Sequence, residues 1–151
     1  VRSLGIVIEP GAGKPLLLAV LASGDRDDPA LEDEFDIPGG GTDPSEQAYD
    51  LARLLQGKLA GLDFDTAAIR AASPSRPTAN RLKGNTFRAL AEGAALFVLR
   101  EHLKSSVLVG DPQTLATHAN MAKPTLTERA KELSKRRFEA AIAAIAALPK
   151  V

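Results

Sequence analysis

An α/β domain with a five-stranded mixed sheet and flanking helices is the architecture this sequence predicts. Three observations carry the prediction. Strand-like runs crowd the first 37 residues with only turn-sized links between them. Farther on, helix-period apolar faces alternate with two more short strand-like runs. Proline or glycine stands at most junctions. Read in order, the string is β-β-β-α-β-α-β-α over one domain, residues 1–151.

The elements follow from local pattern. Residues 3–9, SLGIVIE, are short and β-branched. Residues 16–22, LLLAVLA, are almost wholly apolar, as a strand buried on both faces would be. Residues 31–37 alternate Leu31, Asp33, Phe35 and Ile37 with Glu32, Glu34 and Asp36, which predicts an edge strand with one wet face. PGGG at 38–41 breaks the chain, and Thr42, Asp43 and Pro44 open a helix whose face is Ala48, Leu51, Leu55 and Leu59. Residues 66–72 predict a short strand, and 73–85 an exposed basic loop. A second helix is expected over 86–103, with Phe87, Leu90, Ala94, Phe97 and Val98 inward. Residues 105–110 predict the fifth strand, and 111–124 an irregular stretch or short helix. A last helix runs from Thr127 to about Leu148.

Composition narrows the chemistry. Hydrophobic residues make up 44% and charged residues 25%, which suits a folded domain. Cysteine is absent and there are two histidines, so disulfides, thiolate sites and histidine-rich metal centres are excluded. No apolar run approaches a membrane span, and residues 1–10 are too soon punctuated for a secretory signal. The expectation is a cytoplasmic protein without a membrane role. Alanine supplies 26 of 151 residues, which points to close backbone approach in the core. Net charge is zero but uneven. Residues 25–65 carry twelve acids against three bases, whereas 66–104 carry seven bases against two acids. A local basic patch is therefore the place to look for nucleic acid.

PGGG resembles the start of a Nudix box, but the glutamates that would bind magnesium on the following helix are missing. Nor is it a P-loop, since no Gly-Lys-Ser/Thr follows. The element order and four segments resemble instead the ribonuclease H-like superfamily, in its RuvC branch of Holliday junction resolvases. Leu4 to Gly11 is similar to that family's first strand, where a catalytic carboxylate precedes Pro-Gly; here the acid is Glu9. Arg88 to Leu96 resembles its helix before the fifth strand, Val107 to Pro112 that strand and its exit, and Phe138 to Ile145 its terminal helix. The resemblance implies a two-metal nuclease site. It also implies a carboxylate at the end of the strand after the first helix, where this chain has Arg70. A guanidinium cannot ligate magnesium and repels it.

Candidate catalytic residues are accordingly Glu9, Glu139 and Asp111, with no metal ligand set expected. Glu9 reads either as a remnant ligand or as a strand-end carboxylate. Glu139 faces solvent, or meets Glu9 or Arg70 in a salt-bridge network. Arg76, Arg81, Lys83 and Arg88 are the candidate nucleic-acid contacts, without an interleaved aromatic for base stacking. Helix 126–148 ends in AAIAAIAALP, apolar on almost every face. It is either buried beneath the sheet or the seam of a homodimer, and the dimer is expected. The leading functional expectation is a non-catalytic or divergent RuvC-like domain that binds nucleic acid or a protein partner and needs no cofactor. One alternative is an active nuclease using Mg or Mn. The other is an assembly subunit with no nucleic-acid role.

Overall fold

A computed structural model of the chain describes residues 1–10, 14–72 and 79–150, with backbone alone for 79–85. In chain order it contains β1 (Arg2–Pro10), β2 (Pro15–Gly24), β3 (Pro29–Pro38), α1 (Pro44–Leu59), β4 (Thr66–Arg70), α2 (Ala79–Leu103), β5 (Leu108–Gly110), α3 (Pro112–His118), α4 (Lys123–Leu133) and α5 (Phe138–Ala147). The five strands form one mixed sheet in the order β3-β2-β1-β4-β5. β1, β2 and β3 are an antiparallel meander, while β1–β4 and β4–β5 pair in parallel. The predicted fold class and mixed sheet are observed. No helix among the described residues is long and apolar enough to cross a membrane.

Strand alternation assigns two chemically different faces. Leu4, Ile6 and Ile8 of β1 pack with Leu17, Ala19 and Leu21 of β2 against Leu51, Leu55 and Leu59 of α1 and Ala91, Ala95 and Leu99 of α2. The other face of β1 presents Ser3, Gly5 and Val7. Here α5 lies almost on the sheet: a Cβ at Gly5 would collide with Ala140 O and Ala144 N. The alanines follow from that approach, since larger side chains would hold the helix away. Ala140 to Ala146 of α5 are all buried. The helix end is also satisfied from the sheet and from the link between β2 and β3. Ser3 Oγ donates to Ala144 O at 2.7 Å, Thr66 Oγ1 to Ala147 O at 2.9 Å, and Arg26 Nε to Leu148 O at 2.7 Å. These carbonyls lie in the last turn or just beyond it, where intrahelical donors run out.

Several local expectations are corrected. α2 begins at Ala79, so part of the segment expected as a loop is helical; 73–78 lies outside the described residues. Its inward face is Ala91, Ala95, Val98 and Leu99, while Phe97 is 65% and Leu90 47% exposed. The small residues let α2 settle against α1 and the sheet, which turns the bulkier stripe outward. β5 is only Leu108–Gly110, and 111–124 carries α3 and the start of α4. The single terminal helix is two. Ser134 is extended (φ −150°, ψ 108°), and the break lets Arg137 reach β3, as described below. The premise of a dimer seam at the chain's end also falls, because α5 is core of its own chain.

PGGG turns the chain into α1. Gly39 N–H donates to Pro15 O at 2.8 Å, and Gly41 has φ +82°, in the left-handed region that glycine enters freely. Asp43 caps α1 by accepting from Glu46 N at 3.0 Å, and Glu46 reaches back to Thr42 N at 3.3 Å, a reciprocal cap.

Candidate functional site

Open α/β sheets place their sites beyond the carboxyl ends of parallel strands. In this chain that rim is where β1 and β4 end. Val7 pairs with Arg70 in the parallel register, so Glu9, two residues on, lies on the same face of β1. α5 starts above this face, since its Ala140 meets Gly5. Glu139, in the first turn, thereby reaches Arg70: Nη2 to Oε1 is 3.2 Å. Arg70 Nη1 also donates to Ala71 O at 3.4 Å.

α2 brings a second pair to the rim. Arg88 Nε lies 3.5 Å from Glu92 Oε1, one helical turn apart. Burial pushes the Arg88 guanidinium below its ordinary value, against the attraction of Glu92; Arg70, Glu139 and Glu9 also act on it. Burial likewise pushes the Glu92 carboxyl up, opposed by Arg88, Arg70 and a backbone hydrogen bond from Ala72. Glu9, Arg70, Arg88, Glu92 and Glu139 therefore form one electrostatic cluster. Arg70 Nε and Arg88 Nε are buried in it without a hydrogen-bond acceptor among the described residues.

Asp111 follows Gly110, the β5 partner of Arg70, so it too stands at the carboxyl end of a parallel strand, where it caps α3 by accepting from Thr114 N at 2.8 Å. That backbone bond, with one from the Thr114 hydroxyl, holds its carboxyl below the ordinary value. Its cap is local, and it is not among the groups acting on Arg88 or Glu92. Arg76 lies outside the described residues. Arg81 and Lys83 fall in the first turns of α2, with side chains outside the described set. Arg88 turns into the rim cluster rather than standing free. Sequence reasoning missed Glu92, although its i,i+4 spacing from Arg88 was the available signal.

Two divalent ions are what the family resemblance implies for such a rim. The donor set does not fit them. Glu139 and Glu92 are each engaged by a guanidinium, and no group of three or more His, Cys, Asp or Glu side chains among the described residues is arranged to hold a metal ion.

No protein-family model matches the chain, and no curated protein sequence matches it. Solved structures do. The RuvC of T. thermophilus in complex with Holliday junction substrate aligns at TM-score 0.69 and 11% identity, covering 97% of this chain and 92% of that one. A second Thermus thermophilus RuvC structure aligns at TM-score 0.66 and 15% identity, over 97% and 92% of the two chains. Sheet order, helix placement and this likeness agree: the chain has a ribonuclease H-like, RuvC-like fold.

Proposed function

We propose that this chain is a RuvC-like domain that binds nucleic acid without cutting it. The observation that carries the proposal is Arg70, which stands at the end of β4 and pairs with Glu139 at 3.2 Å in place of a metal-binding carboxylate. A fold can keep its shape and change its task. The similar structure solved with Holliday junction substrate supports branched DNA as the first partner to try. Residues 66–104 carry the basic excess, and Arg81 and Lys83 fall in the first turns of α2. A cytoplasmic setting goes with this role.

With Mg or Mn present, the purified protein is expected to bind a four-way DNA junction and leave it intact. Affinity should fall steeply from about 50 to about 200 mM salt, and R76A/R81A/K83A should lower the log–log salt slope by about 2–3. Metal-dependent cleavage abolished by E9A would replace this function with a divergent nuclease. No binding at low salt would replace it with an assembly role.

A homodimer remains part of the proposal, moved from the chain's end to α2. Leu90 and Phe97 stand exposed seven residues apart, and beside them Gly93 has open space around its Cα. Sedimentation equilibrium should give a dimer for the native chain and a monomer for F97E, with unchanged circular dichroism in both.

A further inference from the structure

We propose that the free edge of β3, with the groove between it and α1, is a docking site for an extended segment of a partner protein in which alternating apolar residues adjoin a basic stretch. The inference concerns the edge of the sheet opposite β5 and stands whatever the rim binds.

Three features carry it. The first is an open ladder. β3 is 10 residues long and ends the sheet. Gly39 N–H turns inward to Pro15 O, so by alternation Ile37, Phe35 and Asp33 bond β2, while Asp36 and Glu34 turn their backbone groups outward. Asp33 Oδ1 meets the Glu34 N–H at 2.8 Å, and among the described residues no backbone group of another segment bonds this edge. The second is a groove beside it. A cavity of about 480 Å³ at the PGGG turn is lined by Pro38, Asp50 and Leu54, and it shares Pro38 and Leu54 with a second of about 210 Å³ beside Phe35 and Ile37. Leu54 is 52% exposed there. The cations of that wall, Arg53 and Lys58, lie over the Tyr49 and Phe35 rings at 5.7 and 5.0 Å. The third is charge. Arg137 and Arg136 neutralise Glu34 and Asp36. Toward the start of the strand, Asp28, Glu32 and Asp33 are exposed and enter no ion pair among the described residues.

The edge is thus apolar toward one end and negative toward the other, and that pattern selects the occupant. Strand addition supplies main-chain hydrogen bonds, the groove takes alternate apolar side chains, and the acidic end takes lysine or arginine. A second copy of this chain is disfavoured, because two β3 edges would set Glu32, Asp33, Glu34 and Asp36 against their own kind. The same acids repel nucleic acid.

The test is a fluorescence-anisotropy titration of the full chain with a labelled peptide of β3's length. It carries valines alternating with threonines and then a run of lysines, and is made in both orders, one for each strand direction. One order should bind saturably. Exchanging its lysines for glutamates should weaken binding about tenfold or more, and methylating alternate backbone nitrogens should abolish it. Leu54→Glu should weaken it about tenfold and Asp33→Lys about fivefold, each with unchanged circular dichroism. The Asp36 amide should exchange more slowly with peptide bound. No saturable binding in either order would overturn the proposal. So would binding that survives backbone methylation, since that is charge attraction alone. A dimer that L54E dissociates and F97E leaves intact would give the edge to a second copy, and would overturn it too.

Discussion

On β3, Asp36 receives Arg137 Nε at 2.6 Å and Arg136 Nη2 at 2.8 Å. Glu34 receives Arg137 Nη1 at 3.0 Å and the Ser134 hydroxyl at 2.7 Å. At the rim of β4, the same residue types meet at 3.2 and 3.5 Å, and two Nε atoms lack acceptors among the described residues. The β3 cluster is a clamp: Arg137 spans two acids and straps the α4–α5 break to the edge strand. Its hydrogen bond to Arg137 holds Asp36 below the ordinary carboxylate value, and the same bond raises Arg137. In the rim's Arg88–Glu92 pair the shifts run the opposite way. Burial is the largest cause for both groups, and it disfavours both charges. Well-formed charge-assisted bonds stabilise, whereas incompletely bonded buried charges are held at a cost in stability. Such groups gather where a fold once met a ligand or still does.

The widest separation between the clusters should come from Arg88→Met. It leaves Glu92 largely buried and without Arg88, and should cost about 2–3 kcal/mol in urea denaturation near pH 8. The pH dependence follows from the raised carboxyl. Folded protein binds more protons than unfolded between Glu92's unfolded and folded pKa values, so stability falls as pH rises through that window. Removing Arg88 raises the upper edge further, so the cost should shrink as pH falls from 8 to 5. The double variant R88M/E92L should return to within about 1 kcal/mol of the native protein. A cost independent of pH would mean that the rim pair is an ordinary clamp.

Arg137→Met should cost somewhat less, about 1.5–2.5 kcal/mol, through lost charge-assisted bonds to Asp36 and Glu34. Arg136 is the internal control. Its side chain is 68% exposed against 12% for Arg137, so R136A should stay within about 0.5 kcal/mol. The acid response is the mirror of the rim's. Asp36 has a depressed folded pKa, so its contribution is full above its unfolded value and lost as pH falls through the folded one. The R137M cost should therefore hold from pH 8 to 5 and decline only in stronger acid. A decline beginning near neutrality would break the contrast.

Much of the fold could be read locally. β2 is apolar on both faces because both are covered, and α1 buries the leucines its spacing announced; β3 is the expected edge strand, but a bulge opposite Leu21 and Ala22 carries Leu31 to the face of Glu34 and Asp36, where it is 43% exposed. The meeting of Arg70 with Glu139 was among the alternatives the residues left open. What local pattern missed was orientation. α2 holds large apolar residues on two sides, and periodicity ranks them by size, whereas packing chose the alanine side. α4 and α5 read as one helix because Lys135, Arg136 and Arg137 carry no breaking residue. The partners of Arg136 and Arg137, Asp36 and Glu34, lie about a hundred positions earlier.

By itself, then, the sequence determined the five strands and their order, the first helix, the absence of thiol chemistry and the cation standing where an acid was expected. Those depend on alternation, punctuation and residue type over a few neighbours. Tertiary structure alone decided that the alanine-rich end is core, that Glu92 joins the rim, and that the last helix is cut in two. Each of these rests on groups far apart in the chain, such as Ser3 and Ala144, separated by 141 positions. Close approach and charge burial are properties of the assembled layers, and no window along the chain contains them.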